Sequence, residues 1–163
     1  MNVIHSVELH LPGDKLPGYY AQIVKGIANT VTLLDRDKTL LFVTSEAEAA
    51  EIENFVQHYR VETDRGIWLA LEESWEVNER KFEDYGVRTR SGSRYLDLHL
   101  AAVMELSSGG GDSELAQARE QCEEHSAAKQ HKEGRQLLAV DREQIELIEG
   151  IARAYRCRAD LLL

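Results

Sequence analysis

The sequence predicts an α+β protein, with one mixed or antiparallel sheet and helices packed mainly on one of its faces. Three observations carry that expectation. Segments that alternate apolar and polar residues recur along the chain, with the period of a half-buried strand. Between them lie stretches with apolar residues at helical spacing. The composition, 43% hydrophobic and 29% charged over 163 residues, is that of a globular chain able to bury a core.

The first strand is Val3 to Leu11, where Val3, His5, Val7, Leu9 and Leu11 share one face and Ser6, Glu8 and His10 the other. Pro12-Gly13 ends it. After Pro17-Gly18, the positions Tyr20, Ile23, Val24 and Ile27 make the apolar stripe of a helix. The β-branched run Thr30-Val31-Thr32 disfavours more helix, which predicts a strand over 30–34. Asp35 to Lys38 reads as a polar turn and Thr39 to Thr44 as the returning strand of a hairpin. Ser45 and Glu48 have the spacing of a capping box, opening a helix with Ile52, Phe55, Val56 and Tyr59 on one side. Gly66 to Leu71 is continuously apolar, as in a strand covered on both faces. Residues 1–72 therefore read βαββαβ, the order of a ferredoxin-like unit.

The rest is expected to extend the same single domain over 1–163. Residues 73–106 read as a charged hairpin or loop, anchored by Trp75 and Phe82, followed by a segment over 95–104 that fits strand and helix alike. Residues 107–113 (SSGGGDS) have the composition of a flexible connection. Residues 114–163 read as a helical extension with short strands. A polar helix is expected over 114–133, with Leu115, Ala118 and Cys122 as its thin apolar stripe, then a short strand over 136–140. Asp141 and Gln144 suit a second helix cap, ahead of Ile145, Ile148, Ala152 and Tyr155. Residues 159–163 suit an edge strand. No internal repeat is visible at a fixed period.

The formal net charge of −10 and pI near 5.1 argue against non-specific nucleic-acid binding, which needs excess Lys and Arg. No apolar run reaches membrane-spanning length, so no membrane contact is expected, and the N-terminus lacks the basic-then-apolar pattern of a signal peptide. Cys122 and Cys157 read as reduced thiols, pointing to a cytoplasmic location.

The most informative local feature is a charge reversal. Glu62 to Asp84 is rich in acid, whereas Gly86 to Leu96 carries Arg88, Arg90 and Arg94 and no acid at all. Alternate arginines on an extended chain would project together, and their planar forks suit phosphate or carboxylate. Ser91, Gly92 and Ser93 could add backbone donors to such an anion site. Against this stands simple pairing of the arginines with Glu79, Glu83 or Asp84 on the surface.

Asp97 and His99, two apart, would share a strand face as an acid–base or metal pair, as would Glu8 and His10. Cys122 and His125 could supply half of a zinc site, but no further ligands stand at suitable spacing. The Glu79-Arg80-Lys81 triplet lies in too acidic a setting for nuclease chemistry. The Walker A, dinucleotide, nucleophile-elbow and zincin signatures are absent, so no cofactor and no metal is expected.

These features favour a non-enzymatic cytosolic binding or regulatory protein that meets a basic protein partner through its acidic surface. The alternative is an enzyme or sensor for a phosphorylated or otherwise anionic small molecule, held by Arg88 to Arg94, with Asp97 and His99 as the catalytic candidates.

Overall fold

The computed structural model describes residues 1–15 and 17–163. Among these the chain holds four α-helices and eleven strands in antiparallel sheets, confirming the α+β class. The strands fall into two sheets instead of the one expected. Contacts divide the chain into two compact units, Met1–Ala70 with Arg88–Ser93, and Leu71–Val87 with Arg94–Leu163.

The first unit contains β1 (Asn2–His10), α1 (Pro17–Thr30), β2 (Asp35–Asp37), β3 (Leu40–Val43), α2 (Glu46–Gln57) and β4 (Glu62–Ala70). Its strands lie side by side in the order β2-β3-β1-β4. β1 runs antiparallel to both β3 and β4, pairing Val7 with Leu41 on one side and with Arg65 on the other. Val7, Leu9, Leu41 and Val43 turn to the helices and bury Ile23, Ile27, Ile52 and Val56. α1 approaches α2 closely at Gly26, where a Cβ would sit 2.3 Å from the Phe55 ring. Ile4, Ser6, Phe42 and Trp68, on the opposite face, are buried as well.

Ser45 caps α2 as its spacing predicts. Its hydroxyl accepts the Glu48 N–H at 3.2 Å, and the Glu48 carboxylate in turn accepts from the Thr44 and Ser45 hydroxyls. The region before β2 departs from expectation. α1 continues to Thr30, whose hydroxyl donates back to the Gly26 carbonyl at 2.9 Å, satisfying a group in the last turn. No strand forms over 30–34. The strand is instead the polar triplet Asp35–Asp37, and the turn is Lys38-Thr39.

The second unit contains β5 (Trp75–Val77), β6 (Gly86–Arg88, whose last residue belongs to the first unit), β7 (Arg94–Asp97), β8 (Ala101–Ser108), α3 (Leu115–Glu123), β9 (Ser126–Lys132), β10 (Arg135–Asp141), α4 (Ile145–Ala154) and β11 (Cys157–Leu161). Its main sheet runs β11-β8-β10-β9-β5. From β8 onward the elements again follow strand, helix, strand, strand, helix, strand, and their strands stand in the same relative order as in the first unit. Ala102, Met104, Leu106, Leu138 and Val140 pack with Ala118 and Cys122 of α3 and Ile148 and Ala152 of α4.

Three expectations change in this unit. The helix predicted over 114–133 stops at Glu123, and Ser126–Lys132 is a strand between β10 and β5. Pairing on both edges and burial of Ser126, Ala127, Ala128 and Gln130 override an indifferent helical propensity. Residues 95–104, which fit both strand and helix, form two strands separated by a turn over 98–100. Finally, Asp141 caps a 3₁₀ turn, Arg142–Gln144, by accepting the Glu143 N–H at 2.8 Å, so α4 starts one turn later than the cap.

Candidate ligand groove

An open groove lies wholly in the first unit. Its volume is about 910 Å³, within the range of small-molecule sites. Three elements build it: the end of β1 with Glu8, Leu9 and His10; the exposed flank of α1 with Tyr20, Ala21, Val24, Lys25 and Ala28; and the β2–β3 hairpin with Arg36, Lys38 and Thr39. Leu11 also lines it. Tyr20, Val24 and Ala28 are four apart, so they form a second apolar stripe beside the core stripe of Ile23 and Ile27. The Tyr20 hydroxyl donates to the Pro12 carbonyl and holds the ring against the chain that leaves β1.

The charges in this groove are unbalanced. Glu8 accepts a 2.9 Å hydrogen bond from the Thr39 hydroxyl. His10 faces Asp64 at 2.5 Å, and that hydrogen bond raises its pKa above the ordinary histidine value. The side chains of Lys25, Arg36 and Lys38 are exposed and make no ion pair or hydrogen bond among the described residues. Apolar walls and uncommitted cations thus meet on one rim, in a chain of net charge −10.

The arginine segment is arranged differently from a row of forks on an extended strand. β6 ends at Arg88, and Thr89 to Ser93 make a turn, closed by the Gly92 N–H to the Thr89 carbonyl at 3.0 Å, with Gly92 at φ +88°. A turn breaks the alternation that would have aligned the side chains. Arg94 donates to the carbonyls of Trp75 at 2.9 Å and Glu72 at 2.7 Å. Arg90 is exposed at the tip. The turn's hydroxyls already serve an acid of the chain itself: Thr89 and Ser91 donate to Asp35 Oδ2 at 2.7 and 2.9 Å, and the Ser93 hydroxyl lies 3.3 Å from that of Ser91.

Asp97 is the last residue of β7, while His99 stands in the following turn. The carboxylate accepts the His99 backbone N–H at 2.9 Å, and the imidazole Nδ1 lies 3.8 Å away. They are neighbours through a turn rather than across a strand face. Glu8 and His10 stand on the first unit's β1.

Cys122 is buried in α3, whereas His125 follows the helix end, so the helical i,i+3 placement is lost. Burial pushes the Cys122 thiol up to about 11, which leaves it protonated and inert at neutral pH. Among the described residues, no group of three or more His, Cys, Asp and Glu side chains is placed to hold a metal, and no helix is long and apolar enough to cross a membrane. The Tyr85 phenol donates to Asp141 at 2.7 Å, and that bond, with burial, moves its pKa up to about 12. It therefore stays protonated as a structural donor.

The groove went unrecognised in the sequence because its cations come from a helix flank and, eleven residues further on, a hairpin, and no single period in the sequence joins the two. One signal was present. Tyr20, Val24 and Ala28 widen the apolar surface of α1 beyond what its core stripe needs. Comparison with models of protein families, with curated proteins and with solved structures finds no match for this chain.

Proposed function

We propose that this protein is a non-enzymatic binding protein whose first unit takes a small amphiphilic anion, a molecule with an apolar body and a carboxylate or sulfonate head. The observation that carries this reading is the groove of about 910 Å³ whose lining combines Tyr20, Val24 and Ala28 with Lys25, Arg36 and Lys38. Apolar contact would supply affinity, and the uncommitted cations would orient the head group. The first unit is read as ferredoxin-like, supported by its βαββαβ order and its strand order β2-β3-β1-β4.

The anionic ligand expected for Arg88 to Arg94 is thereby moved to the hairpin of β2 and β3. Support comes from the commitment of Arg94 to two carbonyls and of Thr89 and Ser91 to Asp35. A cytoplasmic role beside a basic protein partner remains a compatible second reading. It draws on the exposed acids Glu51, Glu73, Glu83 and Asp84.

Fluorescence titration tests the ligand class. 8-Anilinonaphthalene-1-sulfonate has an apolar body and an anionic head, and N-phenyl-1-naphthylamine has a similar body without charge. The native chain is expected to bind the sulfonate more tightly. Lys25→Glu/Lys38→Glu should weaken the sulfonate by about tenfold or more, from the loss of charge-assisted contacts, and spare the amine. Equal loss of both probes, or of neither, contradicts the reading.

A further inference from the structure

The two units repeat one another at a nearly constant offset. The buried positions Ile23 and Ile27 of α1 match Ala118 and Cys122 of α3. The hairpin turns match at Lys38 and Glu133, which hold φ of 55° and 53°. β10 then carries an irregularity between Ala139 and Val140, and beyond it the offset is longer by one residue. From there Ser45 matches Asp141, each the capping side chain ahead of a helix. Ile52 and Val56 match the buried Ile148 and Ala152. Tyr59-Arg60 matches Tyr155-Arg156, and these two arginines hold φ of 57° and 59°. Non-glycine residues in the left-handed region are uncommon, and the four among the described residues fall in two matched pairs.

Carried to the groove, the same offset sets Ala21, Val24, Lys25 and Ala28 against Ala116, Arg119, Glu120 and Glu123. Those four residues of α3 also line a cleft, of about 370 Å³. Its chemistry is inverted. In place of the apolar Val24 and Ala28 stand Arg119 and Glu123, 3.8 Å apart as an ion pair, and Glu123 also accepts from Lys129 at 3.1 Å. In place of Lys25 and Lys38 stand the exposed acids Glu120 and Glu133.

We infer that the chain is a tandem duplication of one strand-helix-strand-strand-helix-strand unit in which only the first copy takes the amphiphilic anion, with positions 24, 25, 28 and 38 setting that specificity; this rests on the groove being the ligand site. The second copy lost, or never had, the apolar wall and the cations, and holds its helix flank by ion pairs instead.

The test is the stoichiometry of 8-anilinonaphthalene-1-sulfonate binding to the full chain. The native chain should take up one equivalent. Replacing the second unit's residues by their first-unit counterparts (Arg119→Val, Glu120→Lys, Glu123→Ala and Glu133→Lys together) should add a second equivalent. A milder variant, Glu120→Lys/Glu133→Lys, alters only exposed side chains and keeps the test available if the fourfold variant does not fold; it should show a measurable weak second event. Two equivalents on the native chain, or a single equivalent retained by the folded second-unit variants, overturns the inference and leaves the groove standing. No uptake by the native chain overturns the groove as ligand site, and this inference with it.

Discussion

The indole N–H of Trp68 donates to the hydroxyl of Ser6 at 2.7 Å, and both residues are buried. The bond is possible because Gly66, paired with Ser6 across the β1–β4 ladder, has no side chain. A Cβ there would stand 2.5 Å from Ser6 Oγ and 2.8 Å from Trp68 Nε1. The edge of the Phe42 ring meets Trp68 with centroids 5.4 Å apart and completes this face of the first sheet.

Ser6→Ala leaves a buried indole donor without an acceptor, and the expected cost is about 1–3 kcal/mol. Gly66→Ala should also destabilise, although alanine normally restricts the unfolded chain and gains from the exchange. Urea unfolding measures both. A Ser6→Ala variant as stable as the native chain would mean that the Trp68–Ser6 bond contributes nothing.

The helix caps give a paired prediction. Ser45→Ala and Asp141→Ala should each cost about 1 kcal/mol. Asp141 carries a further consequence, because its hydrogen bonds from Tyr85 and from the Glu143 N–H hold its carboxyl below the usual aspartate range. A depressed folded pKa stabilises above the unfolded value and is lost as pH falls through the folded one. The Asp141→Ala deficit should therefore shrink on acidification below about pH 4, whereas the Ser45→Ala deficit should not. Thermal melts at pH 7 and pH 3 check this.

His10 gives the groove a pH dependence. Its pKa is raised, first by the hydrogen bond to Asp64 and further by the charges of Asp64, Glu8 and Glu62, against an opposing desolvation effect. The imidazolium is therefore present below the ordinary histidine value of about 6.5 and persists somewhat above it before it is lost. A decanoate probe stays ionised across that window. Its affinity should fall by about two- to fivefold as pH rises through the raised pKa, the size expected of one exposed charge. His10→Gln should flatten the profile, and calorimetric titration between pH 6 and 9 measures it.

Periodicity made the regular elements legible, and chain pairing hid the rest. Ile23 with Ile27 and Ser45 with Glu48 announce their helices because the cause is local. Ser126–Lys132 carries no such cause. Its strand exists because β10 and β5 flank it, and short-range preference does not record a partner. Ser6 falls on the polar face of an alternating strand, yet it is buried, since its place is set by Trp68 and by Gly66 across the sheet. The same limit applies to the site. Arg88, Arg90 and Arg94 stand out because they are close in sequence, whereas Lys25, Arg36 and Lys38 meet only after folding. The repeat was equally hidden, because the matched positions keep burial, caps and left-handed turns but share few side chains.

Titration of decanoate into the ¹⁵N-labelled chain, followed by amide chemical shifts, tests the ligand groove most directly. Saturable shifts at Leu9 to Leu11, Tyr20 to Ala28 and Arg36 to Thr39, with the Arg88 to Arg94 amides unmoved, are the predicted result. Shifts confined to Arg88 through Arg94, or no saturable shift at all, would contradict it.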